Sequence, residues 1–84
     1  MRTQTWTVTI LLSEEGATTK ARAVLSTADT EGKVHGEGTA RKHPAEPSVP
    51  EIGDEIAASR ALSALAHNLL DTALDDLHAV AAGV

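Results

Sequence analysis

Cysteine, phenylalanine and tyrosine are all absent from these 84 residues, and Trp6 is the only aromatic side chain. Without cysteine there is neither a disulfide framework nor a thiolate metal site, and a reducing compartment suits the chain. Without a set of rings there is no stacking platform of the kind that single-strand nucleic-acid readers build. Trp6, beside Val8 and Ile10 on an alternating segment, reads instead as a core residue. No apolar run approaches the length of a membrane span, and Met1-Arg2-Thr3-Gln4-Thr5-Trp6 lacks the apolar stretch of a signal peptide. The expectation is a soluble cytoplasmic protein with no membrane partner. Basic charge is the other scarcity. Residues 43–84 hold one base, Arg60, against seven acids, whereas residues 1–42 hold six bases and five acids. A formal total of −5 argues against a general nucleic-acid binder, which needs a basic face, but leaves room for a local basic patch.

What is present makes one small domain. Ile, Leu, Val and Trp together number nineteen, a thin apolar supply for which association between copies is a common remedy. From Thr5 to Leu12, Trp6, Val8, Ile10 and Leu12 share one parity and Thr5, Thr7 and Thr9 the other, the period-two pattern of a strand. Ser13-Glu14-Glu15-Gly16 reads as a turn. A second strand over 18–26 points Ala21, Ala23 and Leu25 one way and Lys20, Arg22 and Val24 the other. Thr27 to Lys33 reads as a polar hairpin loop. A third strand over 34–42 sets Val34, Gly36, Gly38 and Ala40 on one side, and His35, Glu37, Thr39 and Arg41 on the other. Glycines weaken a strand, and a helix crossing close over that face explains them better than a phosphate-cradling loop, because no GxGxxG spacing follows.

His43 to Pro50, with three prolines, reads as an extended connector. Ser48-Val49-Pro50-Glu51 fits a capping box, with Gly53 as the alternative cap. From there Ile52, Ile56, Leu62, Leu65, Leu69, Ala73, Leu77 and Val80 recur at helical spacing, and Gly83 suits the end of the helix. A helix over 51–82 would be about 48 Å long, whereas an eight-residue strand spans about 27 Å. Either the helix breaks, with a second short helix capped by Asp71 or Thr72 and helping to form a homodimer, or its far end meets another subunit. The break is the favoured expectation.

Candidate chemistry is sparse. His67 and His78 share a helix face but lie roughly 16 Å apart, too far to ligate one ion. His35 and His43 have no companions, and all four read as surface histidines. Asp54 and Glu55 are explained by the helix dipole, Asp75 and Asp76 by a solvated face. Neither Ser59 nor Ser63 sits on a nucleophile elbow. The reading is therefore non-enzymatic, with no catalytic residue, no metal, no cofactor and no small-molecule substrate. One constellation remains: Lys20, Arg22 and Arg41, with Lys33 and Lys42 nearby, on the sheet face away from the helix and interrupted by Glu37. These three are the candidate RNA-contact residues.

With those residues set out, Trp6-Thr7-Val8, Gly38-Thr39-Ala40-Arg41 with His43-Pro44, Val49-Pro50-Glu51-Ile52-Gly53-Asp54-Glu55 and Ser59-Arg60-Ala61-Leu62, taken in order, resemble a family of short actinobacterial proteins known as a domain of unknown function. The likeness spans nearly the whole chain, and the Val49–Glu55 segment is its most specific part. The resemblance implies an α+β fold like that of double-stranded-RNA-binding domains, a three-stranded antiparallel sheet packed by C-terminal helix. It also implies association with hypoxia and dormancy, a likeness to ribosome hibernation-promoting factors, and dimerisation. Duplex-RNA readers of that shape present a lysine-rich helix N-terminus to phosphates. Here that place holds Glu51, Asp54 and Glu55, so standard duplex-RNA binding is not expected. The leading expectation is a stress or dormancy factor that associates with the ribosome, touching rRNA through Lys20, Arg22 and Arg41. The alternative is a homodimeric protein-interaction module with no nucleic-acid partner.

Overall fold

Thr7 to Glu15 forms strand β1 and Thr18 to Ser26 strand β2, joined by the two residues Gly16 and Ala17 in a computed structural model that describes residues 1–43, 45 and 49–83. Gly16 has φ 61° and Ala17 does not have positive φ, which is the signature of a type II′ turn with glycine in its first central position. The turn corrects the expected one over 13–16. Because it occupies only two residues, Ser13, Glu14 and Glu15 stay in the ladder opposite Lys20, Thr19 and Thr18. The strand also starts later than expected, at Thr7, which leaves Trp6 outside the ladder. Trp6 is not a core residue: it is 51% exposed, and its indole N–H donates to Gln4 Oε1 at 3.2 Å.

Four residues, 27–30, connect β2 to β3 (Glu31–Arg41). Thr27 closes this loop, its N–H donating to the Thr30 carbonyl at 2.8 Å and its hydroxyl oxygen accepting from the Thr30 N–H at 3.1 Å. The loop is tighter than the expected 27–33 because a register shift absorbs the difference. Leu25 pairs with Val34 but Ser26 pairs with Glu31, so Gly32 (φ 71°) and Lys33 bulge out of the ladder. The sheet is antiparallel throughout, in the order β1-β2-β3. With helix α1 (Pro50–Ala81), the single helix among the described residues, the architecture is α+β, β-β-β-α.

Helix α1 lies over β3 and β2 and barely touches β1. Its approach is close because β3 offers it Gly36 and Gly38. A Cβ on Gly36 would overlap the backbone of Ala61, Ala64 and Leu65, and one on Gly38 that of Ala57 and Ala61. The helix answers with small residues, so the buried core is Ala21, Ala23, Leu25 and Ala40 of the sheet against Ala57, Ala61 and Leu65. Ile10, Val34 and Leu69 pack around it, half-buried. Two helix side chains reach carbonyls of β3: Arg60 donates to Thr39 O at 2.7 Å and Asn68 Nδ2 to His35 O at 2.8 Å.

The helix does not break, and there is no second short helix among the described residues. Both expected capping residues at the break are otherwise engaged. The Thr72 hydroxyl donates back to the Asn68 carbonyl at 3.0 Å, within the helix, and Asp71 sits 3.8 Å from His67 one turn before it. Pro50 takes the first helical position and Val49 the N-cap, without a side-chain cap. The Gly53 alternative is thereby set aside, while Ser48, with the connector residues 44, 46 and 47, lies outside the described residues. Glu51 is the acid of the first turn; Asp54 and Glu55 fall one turn later than expected. At the other end Gly83, φ 79°, follows the C-cap Ala82, and the N–H groups of both close on Val80 O and His78 O.

A helix of 32 residues rises about 48 Å, and it overshoots the sheet to give the molecule a longest dimension of 57 Å. The overhang is not a continuation of the packed face. In line with Ala57, Ala61 and Leu65, one and more turns on, stand Thr72, Asp75 and Asp76. Of the apolar positions expected to face the core, Ile52, Ile56, Leu62, Leu77 and Val80 are all exposed.

Candidate functional site

The face of the sheet turned away from α1 is set by strand parity. On β2, Lys20 and Arg22 alternate with the buried Thr19, Ala21 and Ala23, so both point away from the helix and both are exposed. Arg41 on β3 alternates with buried Ala40 and pairs with Thr18, which places it diagonal to Lys20 on the same face. The structure thus brings Lys20, Arg22 and Arg41 together, over roughly 14 Å of strand. Lys42 and Lys33 do not join them. Lys42 is half-buried at the turn end of the sheet, where its N–H donates to Ala17 O at 2.8 Å, and Lys33 sits in the bulge.

Register supplies what strand parity could not. Arg22 stands directly opposite Glu37, while Lys20 stands opposite Thr39. Glu15, opposite Thr18, adds a second carboxylate beside Arg41's row. No Arg22–Glu37 ion pair closes among the described residues, but the carboxylate lowers the local potential all the same. A shallow depression of about 430 Å³ lies here, bordered by Leu11, Ser13, Lys20, Arg22, Glu37 and Thr39. It is an open depression and not an enclosed cavity.

A second groove, also about 430 Å³, opens between the β1–β2 turn and the start of α1, with Ala17, Val49, Ile52 and Ile56 on its walls and Lys42 and Glu14 at its rim. Glu14, Arg41 and Lys42 are its charged residues among those described, and no ion pair joins them. Among the described residues no three His, Cys, Asp or Glu side chains converge where a metal ion could sit. His67 faces Asp71 on the open helix surface, and His43 Nδ1 accepts from the Ala45 N–H at 3.1 Å. No helix is long and apolar enough to cross a membrane.

The feature that composition and spacing did not single out is the uncovered apolar surface. Val8 and Leu12 lie on the helix side of β1, beyond the reach of α1, and are exposed together with Leu11 on the other face. Ile52, Ile56, Leu62, Leu70, Leu74, Leu77 and Val80 are exposed along the helix. Glycines at 36 and 38 facing alanines at 57 and 61 were the available signal, because a helix seated on small residues leaves its larger ones outside.

These features define a class: a small α+β protein of one antiparallel three-stranded sheet and one overlong helix, with a lightly charged open sheet face. The chain belongs to the Rv2632c-like family, whose model matches residues 4–83. It is 43% identical over 77 residues to the uncharacterised protein Mb1767 of Mycobacterium bovis, covering 92% of this chain and 80% of that one. It is 40% identical over 76 residues to the uncharacterised protein Rv2632c of Mycobacterium tuberculosis, covering 90% and 80%. The crystal structure of Rv2632c superposes with a TM-score of 0.82 at 38% identity, over 95% of this chain and 93% of that one.

Proposed function

We propose that the protein is a non-enzymatic interaction module that works as a homodimer. The observation that carries this reading is where its apolar side chains lie. Leu25 and Leu65 are the only large ones in the buried core, whereas thirteen large apolar residues are exposed among the described residues. A core made mostly of alanine buries little surface, and exposed apolar patches on this scale mark contact sites. Sedimentation equilibrium between about 1 and 100 μM tests it. A dimer is expected, and a monomer throughout that range would remove the reading.

A second reading is favoured by a different observation, the shared exposed face of Lys20, Arg22 and Arg41. In it the protein is a stress- or dormancy-phase factor that rests on the ribosome through rRNA phosphates. Two carboxylates on the same face make it the weaker of the two. Cosedimentation with ribosomes from stationary cells is the test: binding that persists when all three cations are replaced by glutamine speaks against this face, and no binding at low salt speaks against the reading.

A further inference from the structure

Helix α1 carries two apolar stripes, and the sheet covers only one. The second keeps strict alternation of three- and four-residue steps; it starts on the flank of the helix, where Val49, Ile52 and Ile56 border the groove at the β1–β2 turn, and passes to the side opposite the sheet further on. Val49, Ile52 and Ile56 open it, Ser59, Ser63 and Ala66 continue it, and Leu70, Ala73, Leu77 and Val80 complete it. That is the spacing of a coiled-coil seam. Its six large members are between 40% and 73% exposed. In the overhang the polar residues Thr72, Asp75 and Asp76 occupy the side that would face a sheet, so this end of the helix is built for contact on its back alone.

We propose that this stripe is closed by the same stripe of a second copy running antiparallel, with the twofold axis passing between Ser63 and Ala66. The inference rests on the homodimer reading and specifies its interface. The order of side-chain sizes selects the direction. In a parallel pair Ser59, Ser63 and Ala66 would each face themselves, leaving successive layers with little side chain to fill them. In the antiparallel register, where the two kinds of heptad position meet each other, Ser59 faces Leu70 and Ile56 faces Ala73. Ile52 then faces Leu77 and Val49 faces Val80, while Ser63 and Ala66 meet at the axis. Large residues meet small ones or close the ends, and the overhang of each copy lies along the half of the other helix that its own sheet braces. Contact along nearly the full ~48 Å of both helices buries on the order of 800 Å² per copy, the size of a stable interface. Because Lys20, Arg22 and Arg41 lie on the sheet face away from the helix, they stay open on each copy.

The absence of cysteine makes the register directly measurable. Ile56→Cys and Ala73→Cys are surface changes in the full chain. Mixed, allowed to exchange and gently oxidised, the two variants are expected to give a disulfide-linked dimer, while Ile56→Cys alone gives none. Leu70→Asp is expected to raise the dimer dissociation constant at least tenfold with an unchanged far-ultraviolet circular dichroism spectrum. A dimer by sedimentation that fails to crosslink in the mixture overturns this interface and leaves the homodimer standing. So does crosslinking of Ile56→Cys by itself, which signals a parallel pair, or of Leu11→Cys, which signals pairing through β1. A wild-type chain that is monomeric removes the homodimer reading, and this interface with it.

Discussion

Gly36→Ala is the most informative single substitution, because one added methyl group meets backbone and not a flexible side chain. The new Cβ would lie 2.6 Å from the Ala61 carbonyl oxygen, against 3.4 Å at the near limit of ordinary contact. The Leu65 backbone nitrogen lies nearer still, so the helix must retreat by more than roughly 0.8 Å, a gap that forfeits at least a quarter to a half of each dispersion contact it opens. Leu65, Ala61 and Ala57 would all lose contact with β2 and β3 together. Overpacking of this kind costs about 1–3 kcal/mol, and a rigid backbone obstacle puts the cost at the upper end. Removing a glycine from a strand returns about 0.5–1 kcal/mol, so the expected net loss is about 2 kcal/mol. A chain of this length has roughly 4–13 kcal/mol of stability in all. With a urea m-value of about 1 kcal/mol/M, the midpoint falls by about 2 M at fixed protein concentration. Glu37→Ala, one residue on and facing away from the helix, is the control and moves the midpoint by no more than about 0.5 M. An unchanged midpoint in Gly36→Ala would mean that the helix does not sit on the glycines.

Asn68→Ala removes the bond to His35 O and should cost about 1 kcal/mol in the same urea assay; no loss would show that this contact does not anchor the far half of the helix. Gly16→Val forces a β-branched residue into φ 61° and should cost about 1–2 kcal/mol, with hydrogen exchange quickening first at Glu14 and Glu15 beside the turn. If the sheet face does touch RNA, replacing Lys20 by Gln lowers the slope of log K against log salt by about 0.7 for single-stranded RNA. A slope that does not change would place the contact elsewhere.

The sheet is largely legible in the sequence because period two is a local signal. The second strand, the inward parity of Ala21, Ala23 and Leu25, and the glycines as a helix-crossing site all follow from alternate residues. The end of β1 was not readable, since Ser13-Glu14-Glu15 has turn composition and only the two-residue loop at Gly16 keeps it paired. The helix misled for a different reason. Ile52, Ile56 and Leu62 have more apolar surface than Ala57 and Ala61, yet a strand carrying Gly36 and Gly38 selects for closeness, not size. Thr72 and Asp71 looked like caps because the same side chains that cap a helix can also bond back within one. As for the cation patch, parity placed Lys20, Arg22 and Arg41 on one face, but the opposition of Arg22 to Glu37 depends on register. Register is fixed by loop lengths and by the bulge at Gly32 and Lys33, which leave no periodic trace.

The hydrogen bonds from Arg60 and Asn68 to Thr39 and His35 have a consequence for how the sheet can grow. They engage two carbonyls of β3, whose outer side has no neighbouring strand among the described residues. On β1 nothing comparable intervenes, and from Thr7 to Ser13 that edge carries no charge and no proline. Of the two edges, β1 is therefore the less obstructed. Strand pairing between two copies through β1 would use the free edge of both at once and close at six strands. A sheet with two such edges could add copies without limit and become a fibre. Pairing through β1 alone would stop at two copies.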